Sequence, residues 1–321
     1  MAEMNFGKIG ILMGGPSTER VISLESGKAV YESLTQAGFK VAAIDIKTDG
    51  KQENIGLIKS HEVDVAFIAM HGRFGEDGQI QEILDTMGIP YTGSGARASR
   101  LAMDKIASRK IFEASGLAVP RYKAEDNLSY NANWMARHND FALPLVVKPA
   151  THGSSIGLSI VEKEEELGKS VGLAFSFDER IIIEEYVMGR EVTVGILDEK
   201  ALPVIEIIPK KRFFDYEAKY QAGFTEYVVP AELEDKTAKK IQEAALSAHK
   251  LLGCYGCSRV DLILSKENIP FVLEVNTIPG LTKISLLPKA AKVVGIDFPQ
   301  LCIKLIKLAY DKTQNGAHLR L

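Results

Sequence analysis

The stretches RVDLIL at 259–264 and FVLEVN at 271–276, joined by SKENIP, decide the fold of this chain. Both runs favour β-strands, and the turn-forming residues between them predict an antiparallel hairpin. Side chains alternate between the two faces of a strand, so one face should meet a core and the other should carry the polar groups. That polar set is a guanidinium, two carboxylates and an amide: Arg259, Asp261, Glu274 and Asn276.

Strict alternation also makes a prediction for the second strand. The odd-numbered residues from Phe271 to Val275 should share its apolar face, and Val272 should share the polar face with Glu274. Carboxylate and amide oxygens are the ligands that magnesium prefers, and a guanidinium suits phosphate. The hairpin therefore predicts a metal–phosphate centre, although an edge hairpin with solvated charges also fits this segment taken alone.

Composition bounds the class of protein. With 321 residues, 46% hydrophobic and 25% charged, the chain can bury a large core and should divide into two or three domains. A net charge of -3 supplies no basic field for nucleic acid, which we do not expect as a partner. No apolar run reaches the ~18 residues of a membrane span, and the first residues lack signal-peptide order. Three cysteines do not make a disulfide framework, so we expect a cytoplasmic protein with no membrane association.

The first hundred residues alternate strands and helices. KIGILMGG at 8–15, VAAIDI at 41–46 and VDVAFIAM at 63–70 are strand-like runs, which predicts a parallel sheet covered by helices. Ligands bind at the carboxyl ends of such strands, where the loops GGPSTER with Glu19 and HGRFGEDG with His71 lie. The first loop lacks the G-x-G-x-x-G spacing of a dinucleotide site. Each residue taken alone also fits a structural role, Glu19 at a helix start and His71 within a loop.

The pattern then changes to hairpins, after a helical stretch at about 100–115. The strand LPLVVKP at 143–149 leads into ATHGSSIG, and a strand-terminal lysine before a Gly–Ser loop predicts a mobile flap whose N–H groups cover phosphates. The Walker order is missing, so the nucleotide interpretation depends on Lys148 and this loop, and a plain surface hairpin remains open. The run IIIEEYV at 181–187 could hold a purine on free backbone edges.

Two further segments complete the candidate site. Residues 212–230, RFFDYEAKYQAGFTEYVVP, are rich in aromatic side chains without clean periodicity, and we interpret them as an active-site lid. Beyond the hairpin, Gly280 and Ser285 can offer N–H and hydroxyl donors. The C-x-x-C at Cys254 and Cys257 lacks further zinc ligands at suitable spacing, so we assign it no chemistry.

Taken together, these segments resemble the D-alanine:D-alanine ligases of the ATP-grasp superfamily. The matching segments follow family order over about 270 residues: GGPSTERVISLESG, HGRFGEDG, MDK, VVKPATHGSSIG, EEYVMGREVTVGIL, DYEAKY, SRVDLIL and EVNTIPGLTKIS. The resemblance implies the ATP-grasp fold, of class α/β and α+β. An N-terminal parallel α/β domain, 1–100, would precede two antiparallel-sheet domains, 101–186 and 187–321, that clasp ATP.

The resemblance also implies a reaction. Two D-alanines would be joined to D-alanyl-D-alanine through a D-alanyl phosphate, for peptidoglycan precursor synthesis. ATP and two Mg²⁺ ions, with Mn²⁺ as an alternative ion, are the implied cofactors, and a homodimer is the implied assembly. Two alternatives stay open: an ATP-grasp ligase that joins D-alanine to D-serine or D-lactate, and an ATP-binding module without catalysis.

Carried over by position, the resemblance assigns the ATP and metal residues. The metals would be held by oxygen ligands of the hairpin, namely Asp261, Glu274 and Asn276. The phosphates would be contacted by lysines, namely Lys105, Lys148 and Lys219. The adenine and ribose pocket would be formed by Glu184, the backbone of Tyr186 and Val187, and Glu191.

The resemblance assigns the substrate residues in the same way. The residues around the first D-alanine would be Glu19, Ser154 and Tyr220. His71 would also belong to the substrate-binding residues. The tetrahedral intermediate would be steadied by Arg259 and the N–H of Gly280. The second carboxylate would be bound by Ser285 and the backbone of Leu286. The chain departs from the family pattern at His152, where many relatives carry an acidic residue, and at Lys283–Ile284, where relatives often place a histidine.

Overall fold

The computed structural model describes residues 5–128, 130, 134–138, 140–209 and 225–314. Within them the strands form one parallel and two antiparallel sheets, which follow one another along the chain. No helix among the described residues is long and apolar enough to cross a bilayer.

The first sheet is parallel, and the first strand of the chain lies at its centre, between the second and the third. Ile9 and Ile11 of its central strand pack into one core cluster, whereas Leu12 packs into another on the opposite face. The predicted parallel sheet between helical layers is therefore confirmed. Its elements are β1 Lys8–Gly14, α1 Arg20–Gln36, β2 Lys40–Ile46, α2 Lys51–Ser60, β3 Val65–Ile68 and α3 Gln79–Met87.

The second sheet is antiparallel, in the order β4-β7-β5-β6. Its elements are α4 Ala96–Met103, α5 Lys105–Ala114, β4 Tyr122–Asp126, α6 Trp134–Arg137, β5 Leu145–Pro149, β6 Ser159–Val161, a 3₁₀ turn Glu164–Glu166, α7 Leu167–Phe175 and β7 Arg180–Glu185.

The helical stretch expected at about 100–115 is confirmed, and it is divided into two helices because Asp104 is extended and ends α4. Its carboxylate then accepts the N–H groups of Ile106 and Ala107, both at 3.0 Å, and so caps α5. This cap places Lys105 at the first position of α5.

The third sheet is antiparallel, with the path β11-β10-β8-β12-β13, and β9 pairs with β8. The predicted hairpin is confirmed as β12 and β13. The elements are β8 Gly189–Leu197, β9 Lys200–Ala201, β10 Ile205–Pro209, β11 Thr225–Val228, α8 Asp235–Leu251, β12 Cys257–Ser265, β13 Pro270–Asn276, α9 Leu286–Val293 and α10 Phe298–Gln314.

Strict alternation is wrong within β13. Asp261 pairs with Glu274, but the next residue, Leu262, pairs with Val272, so a bulge at Leu273 inserts one extra residue. Val272 and Val275 are consequently both buried in the core beneath the sheet. Leu273 lies instead on the cavity side with Glu274. The predicted places of Val272 and Leu273 are thus exchanged, while the two acidic positions face the cavity as expected.

Part of the predicted lid at 212–230 lies outside the described residues, including Lys219 and Tyr220. Its last part forms β11, which pairs with β10. The lid and the roles of both residues remain predictions.

Candidate active site

Two neighbouring cavities contain most of the predicted site residues. The larger cavity, of about 450 Å³, lies against Lys148, the segment 184–187 and Glu191. The smaller cavity, of about 340 Å³, is lined by Glu19, His71, Ser154, Arg259, Asn276, Gly280, Ser285 and Leu286. Asp261 and Glu274 line both cavities, so the hairpin forms their common wall.

Asp261 is the most heavily bonded carboxylate of this wall. Arg259 donates from Nε to Oδ1 at 2.9 Å and from Nη2 to Oδ2 at 2.7 Å. Thr193 Oγ1 donates to Oδ1 at 2.6 Å, from the β8 position directly opposite Asp261. Asn276 Nδ2 donates to Oδ2 at 3.1 Å. These four bonds fix the position of the Asp261 carboxylate, and the two from Arg259 hold its guanidinium against Asp261 at the wall of the smaller cavity.

The hairpin residues fit a divalent cation. Asp261 and Glu274 are direct cross-strand neighbours, and like charges in that arrangement repel unless positive charge is supplied. Arg259 supplies it to Asp261, and Lys105 Nζ lies 3.4 Å from Glu274 Oε2. Two carboxylates and the amide of Asn276 could hold the ion, with other oxygens as its remaining ligands. Among the described residues there is no group of three or more His, Cys, Asp and Glu that could hold a metal ion by itself.

A buried charge cluster stands beside the larger cavity. Lys148 Nζ donates to Glu184 Oε1 at 2.7 Å, and Arg109, which has no exposed surface, pairs with Glu184 Oε2. Burial lowers the pKa of Lys148 to about 8; Glu184 opposes this shift, whereas Arg109 and Lys105 add to it. Burial raises the pKa of Glu184, but Arg109 and Lys148 outweigh burial, and its pKa is lowered overall. Two cations around one carboxylate leave positive charge for an anionic ligand.

The loop at 150–158 joins these groups to the first domain. Thr151 donates from its backbone N (2.8 Å) and from Oγ1 (2.7 Å) to Asp178 Oδ2, which anchors the base of the loop. Lys105 Nζ donates to the carbonyl of His152 at 2.6 Å. At the tip, Ser154 has a left-handed φ of 52° and donates its hydroxyl hydrogen to Glu19. The loop therefore reaches from the second sheet to the first helix.

The opposite side of the smaller cavity is built from the first sheet. Glu19 is the N-cap residue of α1 and is 8% exposed. His71 Nδ1 lies 3.0 Å from the carbonyl of Ile278, which can only accept, so Nδ1 carries the proton. Its Nε2 lies 2.9 Å from Ser26 Oγ. Glu76 lies beside His71, and burial raises the pKa of Glu76.

The third side of the smaller cavity is the start of α9. Ser285 is its N-cap residue, and its hydroxyl bonds to the N–H of Thr282 at 3.1 Å and to Thr282 Oγ1 at 2.8 Å. It does not cap the helix. The first N–H groups of α9, beginning with Leu286, thus have no intrahelical acceptor at the edge of the cavity.

Sequence patterns had not singled out Arg109 or the contact between Thr193 and Asp261. Arg109 follows Lys105 by four positions and precedes Phe112 by three, so all three share the buried face of α5. A charged residue in an apolar helical stripe was the available signal. Which carboxylate it pairs with could not be read from the chain, because Glu184 belongs to a different element.

Comparison with known proteins gives consistent matches. The chain matches the family described as D-ala D-ala ligase C-terminus over residues 111–307, and that described as D-ala D-ala ligase N-terminus over residues 52–94. A D-alanine--D-alanine ligase of Geotalea uraniireducens (strain Rf4) is 46% identical over 307 residues, covering 96% of this chain and 97% of the relative. One from Pelotomaculum thermopropionicum is 44% identical, covering 95% and 97%.

Solved structures agree. The D-alanine--D-Alanine ligase from Bacillus anthracis complexed with ATP has a TM-score of 0.85 and 35% identity, covering 97% of this chain and 99% of that one. The VanG D-Ala:D-Ser ligase from Enterococcus faecalis has a TM-score of 0.83 and 32% identity, covering 95% and 100%. Because the matches span nearly the whole chain in sequence and in fold, this protein belongs to the D-alanine:D-alanine ligase family and has the ATP-grasp fold.

Proposed function

We infer that this chain is an ADP-forming, ATP-dependent ligase that joins two D-alanines to D-alanyl-D-alanine for peptidoglycan precursors. One observation carries the inference: Asp261 and Glu274 line both cavities. The same carboxylates can therefore serve the phosphates of ATP on one side and the reacting carboxylate on the other.

The reaction needs both sides. A carboxylate is a poor acyl donor, so a carboxylate oxygen of the first D-alanine attacks the γ-phosphorus of ATP, and the bond to ADP breaks. The amine of the second D-alanine then attacks the acyl carbon of D-alanyl phosphate, loses a proton and expels phosphate. Two Mg²⁺ ions at Asp261, Glu274 and Asn276, with Glu274 shared, would neutralise charge during phosphoryl transfer.

We assign the larger cavity to ATP. Lys148 and Lys105 would bind phosphate oxygens, with Lys219 reaching the transferred group, and the excess positive charge around Glu184 supports this assignment. The adenine and ribose would lie against Glu184, the backbone of Tyr186 and Val187, and Glu191, all of which line this cavity.

We assign the smaller cavity to the two amino acids. Glu19 would hold the ammonium of the first D-alanine in a network with Ser154 and Tyr220, and the bond between Glu19 and Ser154 supports that network. His71 completes this side of the pocket.

On the other side of the cavity, Arg259 would turn from Asp261 to the acyl oxygen when metal binds, and the Gly280 N–H would assist it. Ser285 and the Leu286 N–H would receive the second carboxylate, since both lie at the start of α9.

We propose the domain division 1–100, 101–186 and 187–321, because each of the three sheets falls within one of these ranges. Helix α10 nevertheless packs into the core cluster of β1 and α1, which ties the last domain to the first. A homodimer and a cytoplasmic location complete the proposal. The use of ATP and the three free cysteines support that location.

A phosphate-release assay with ATP, Mg²⁺ and D-alanine tests the function, with product identified by mass spectrometry. Parallel reactions contain D-serine, D-lactate or L-alanine beside D-alanine. We expect phosphate release with D-alanine as the only amino acid, and D-alanyl-D-alanine as the main product in each parallel reaction. Preferred incorporation of D-serine would instead indicate a D-Ala:D-Ser ligase, like VanG. ATP binding without D-alanine-dependent phosphate release would contradict the proposal.

A further inference from the structure

The smaller cavity is rich in negative charge although its substrates are carboxylates. Among the residues that the structure describes, five acidic side chains line it: Glu19, Glu25, Glu76, Asp261 and Glu274. Among its described lining residues, the permanently charged cations are Arg259 and Lys289. The proposed Mg²⁺ ions and the ammonium of the first D-alanine would offset Asp261, Glu274 and Glu19. A second amino acid would still bring its α-carboxylate into a cavity that Glu25 and Glu76 also line, so a cation beside that carboxylate would favour its binding.

Arg259 is paired with Asp261 in this structure, and the proposed function assigns it to the acyl oxygen rather than to the second carboxylate. Both of its bonds to Asp261 are short, and the pair is half-buried on the common wall of the two cavities. Lys289, in contrast, makes no ion pair within the described part of the chain; its ammonium lies over the Tyr227 ring, 4.4 Å from the centroid. Burial lowers the pKa of Lys289, as expected for a partly desolvated ammonium without a carboxylate partner.

The position of Lys289 on α9 directs it toward the start of the helix. Lys289 follows Ser285 by four residues, and its backbone N–H donates to the Ser285 carbonyl at 3.0 Å. Residues four apart lie on the same helix face, and helical side chains lean toward the N-terminus. Lys289 therefore lies on the same helix face as Ser285, and it lines the same cavity as Ser285 and Leu286, where the second carboxylate is proposed to bind.

We propose that Lys289 binds the α-carboxylate of the second amino acid and makes the site selective for an acceptor with a free carboxylate. This inference rests on the proposed ligase function, and it adds a cation to the hydroxyl and N–H donors at the start of α9. Lys289 acts in acceptor binding alone, since the larger cavity and the first D-alanine do not depend on it.

The test compares Lys289→Met with the wild-type enzyme and two amine acceptors. D-alanyl phosphate formed from ATP and D-alanine can be attacked by a second D-alanine or by hydroxylamine, which has no carboxylate and yields D-alanine hydroxamate plus phosphate. We expect kcat/KM for the second D-alanine to fall on the order of 10- to 100-fold, as for loss of one charge-assisted contact. Hydroxamate formation should be unchanged, and Lys289→Arg should keep most of the dipeptide activity.

Lys292→Met is the matched control, because it removes the same charge from an exposed position of α9. A competition makes the result independent of the amount of folded enzyme. With D-alanine and D-alaninamide in one tube, the wild type should strongly favour the dipeptide over the dipeptide amide, whereas Lys289→Met should largely lose this preference.

Three outcomes would overturn the assignment: unchanged dipeptide kinetics in Lys289→Met, an equal loss of dipeptide and hydroxamate, or an unchanged competition ratio. Failure of the ligase function itself gives a different result, since the wild type would then release no D-alanine-dependent phosphate.

Discussion

Three charged side chains form one buried cluster beside the larger cavity. Glu184 contacts both Lys148 and Arg109. Removal of either cation therefore changes the electrostatic environment of the other. A buried ion is stable only when it is paired, which is why Glu184 remains ionised despite its burial. Lys148 is thereby held as a cation whose charge depends on its neighbours.

This cluster predicts a pH dependence of ATP use. The pKa of Lys148 is lowered to about 8, so its ammonium is present below that pH and is lost as the pH rises through it. We expect kcat/KM for ATP to fall above about pH 8. In Arg109→Met the fall should move to higher pH, because a positive neighbour that lowers the pKa is gone. The measurement is kcat/KM for ATP against pH for the wild type and for Arg109→Met. The same profile in both would contradict the proposal that the Lys148 ammonium binds ATP.

The carboxylate of Glu274 makes a second prediction at this scale. Glu274→Gln keeps the size of the side chain but removes the charge that two metal ions would share. We expect apparent Mg²⁺ affinity to fall by about 10- to 100-fold or more, since changes in the surroundings of metal ligands alone typically cost about 10- to 100-fold. A Mg²⁺ titration of phosphate release measures it. Glu267→Gln in the exposed turn of the same hairpin is the control, and full activity of Glu274→Gln would refute the metal site.

At the scale of elements, the bulge in β13 decides which side chains reach the cavities. It directs Val272 into the core and Leu273 onto the floor of the larger cavity beside Ile263. Without the extra residue, alternation would be regular and Leu273 would have no place on that floor. The bulge therefore places an apolar side chain in the cavity that we assign to ATP, beside the two carboxylates proposed to hold metal.

Alanine at these two neighbouring positions should give opposite results. Val272→Ala removes fully buried methyl groups and should lower the free energy of unfolding by about 2 kcal/mol, with KM for ATP little changed. Leu273→Ala should raise KM for ATP by about 3- to 10-fold, since roughly 1 kcal/mol of apolar contact is lost, with little change in stability. Urea unfolding and ATP kinetics measure both. The reverse pattern would mean that strict alternation holds.

At the scale of the whole molecule, the two cavities meet where three sheets converge. The loop at 150–158 belongs to the second sheet, yet its tip bonds to Glu19 at the start of α1. Its base is held by Asp178, and the Lys105 ammonium bridges His152 and Glu274. This loop therefore covers the junction at which an acylphosphate would form, and its contacts would exclude water from that junction.

Loss of the tip contact should uncouple the reaction. Ser154→Ala removes the hydroxyl that bonds to Glu19, so the loop is held less firmly over the junction. We expect the ratio of phosphate released to dipeptide formed to rise above one, because water gains access to D-alanyl phosphate. Simultaneous phosphate and dipeptide measurements give the ratio. If the rate falls while the ratio stays at one, the loop positions substrate but does not exclude water.

The amino-acid sequence by itself determined the alternating first sheet, the β12–β13 hairpin and the place of the lysine-bearing loop. These features can be predicted because strand periodicity, turn-forming residues and helix-ending residues depend on interactions between residues close in the chain. The resemblance in eight ordered segments also determined the family, which the comparisons confirm.

Only the tertiary structure decided the bulge at Leu273, the pairing of Arg109 with Glu184, the bond between Arg259 and Asp261, and the position of the Lys289 ammonium over the Tyr227 ring. Each depends on which distant residues lie opposite one another across strands, helices and cavity walls. Burial then sets how strongly those charges interact, and no local pattern in the chain records that burial.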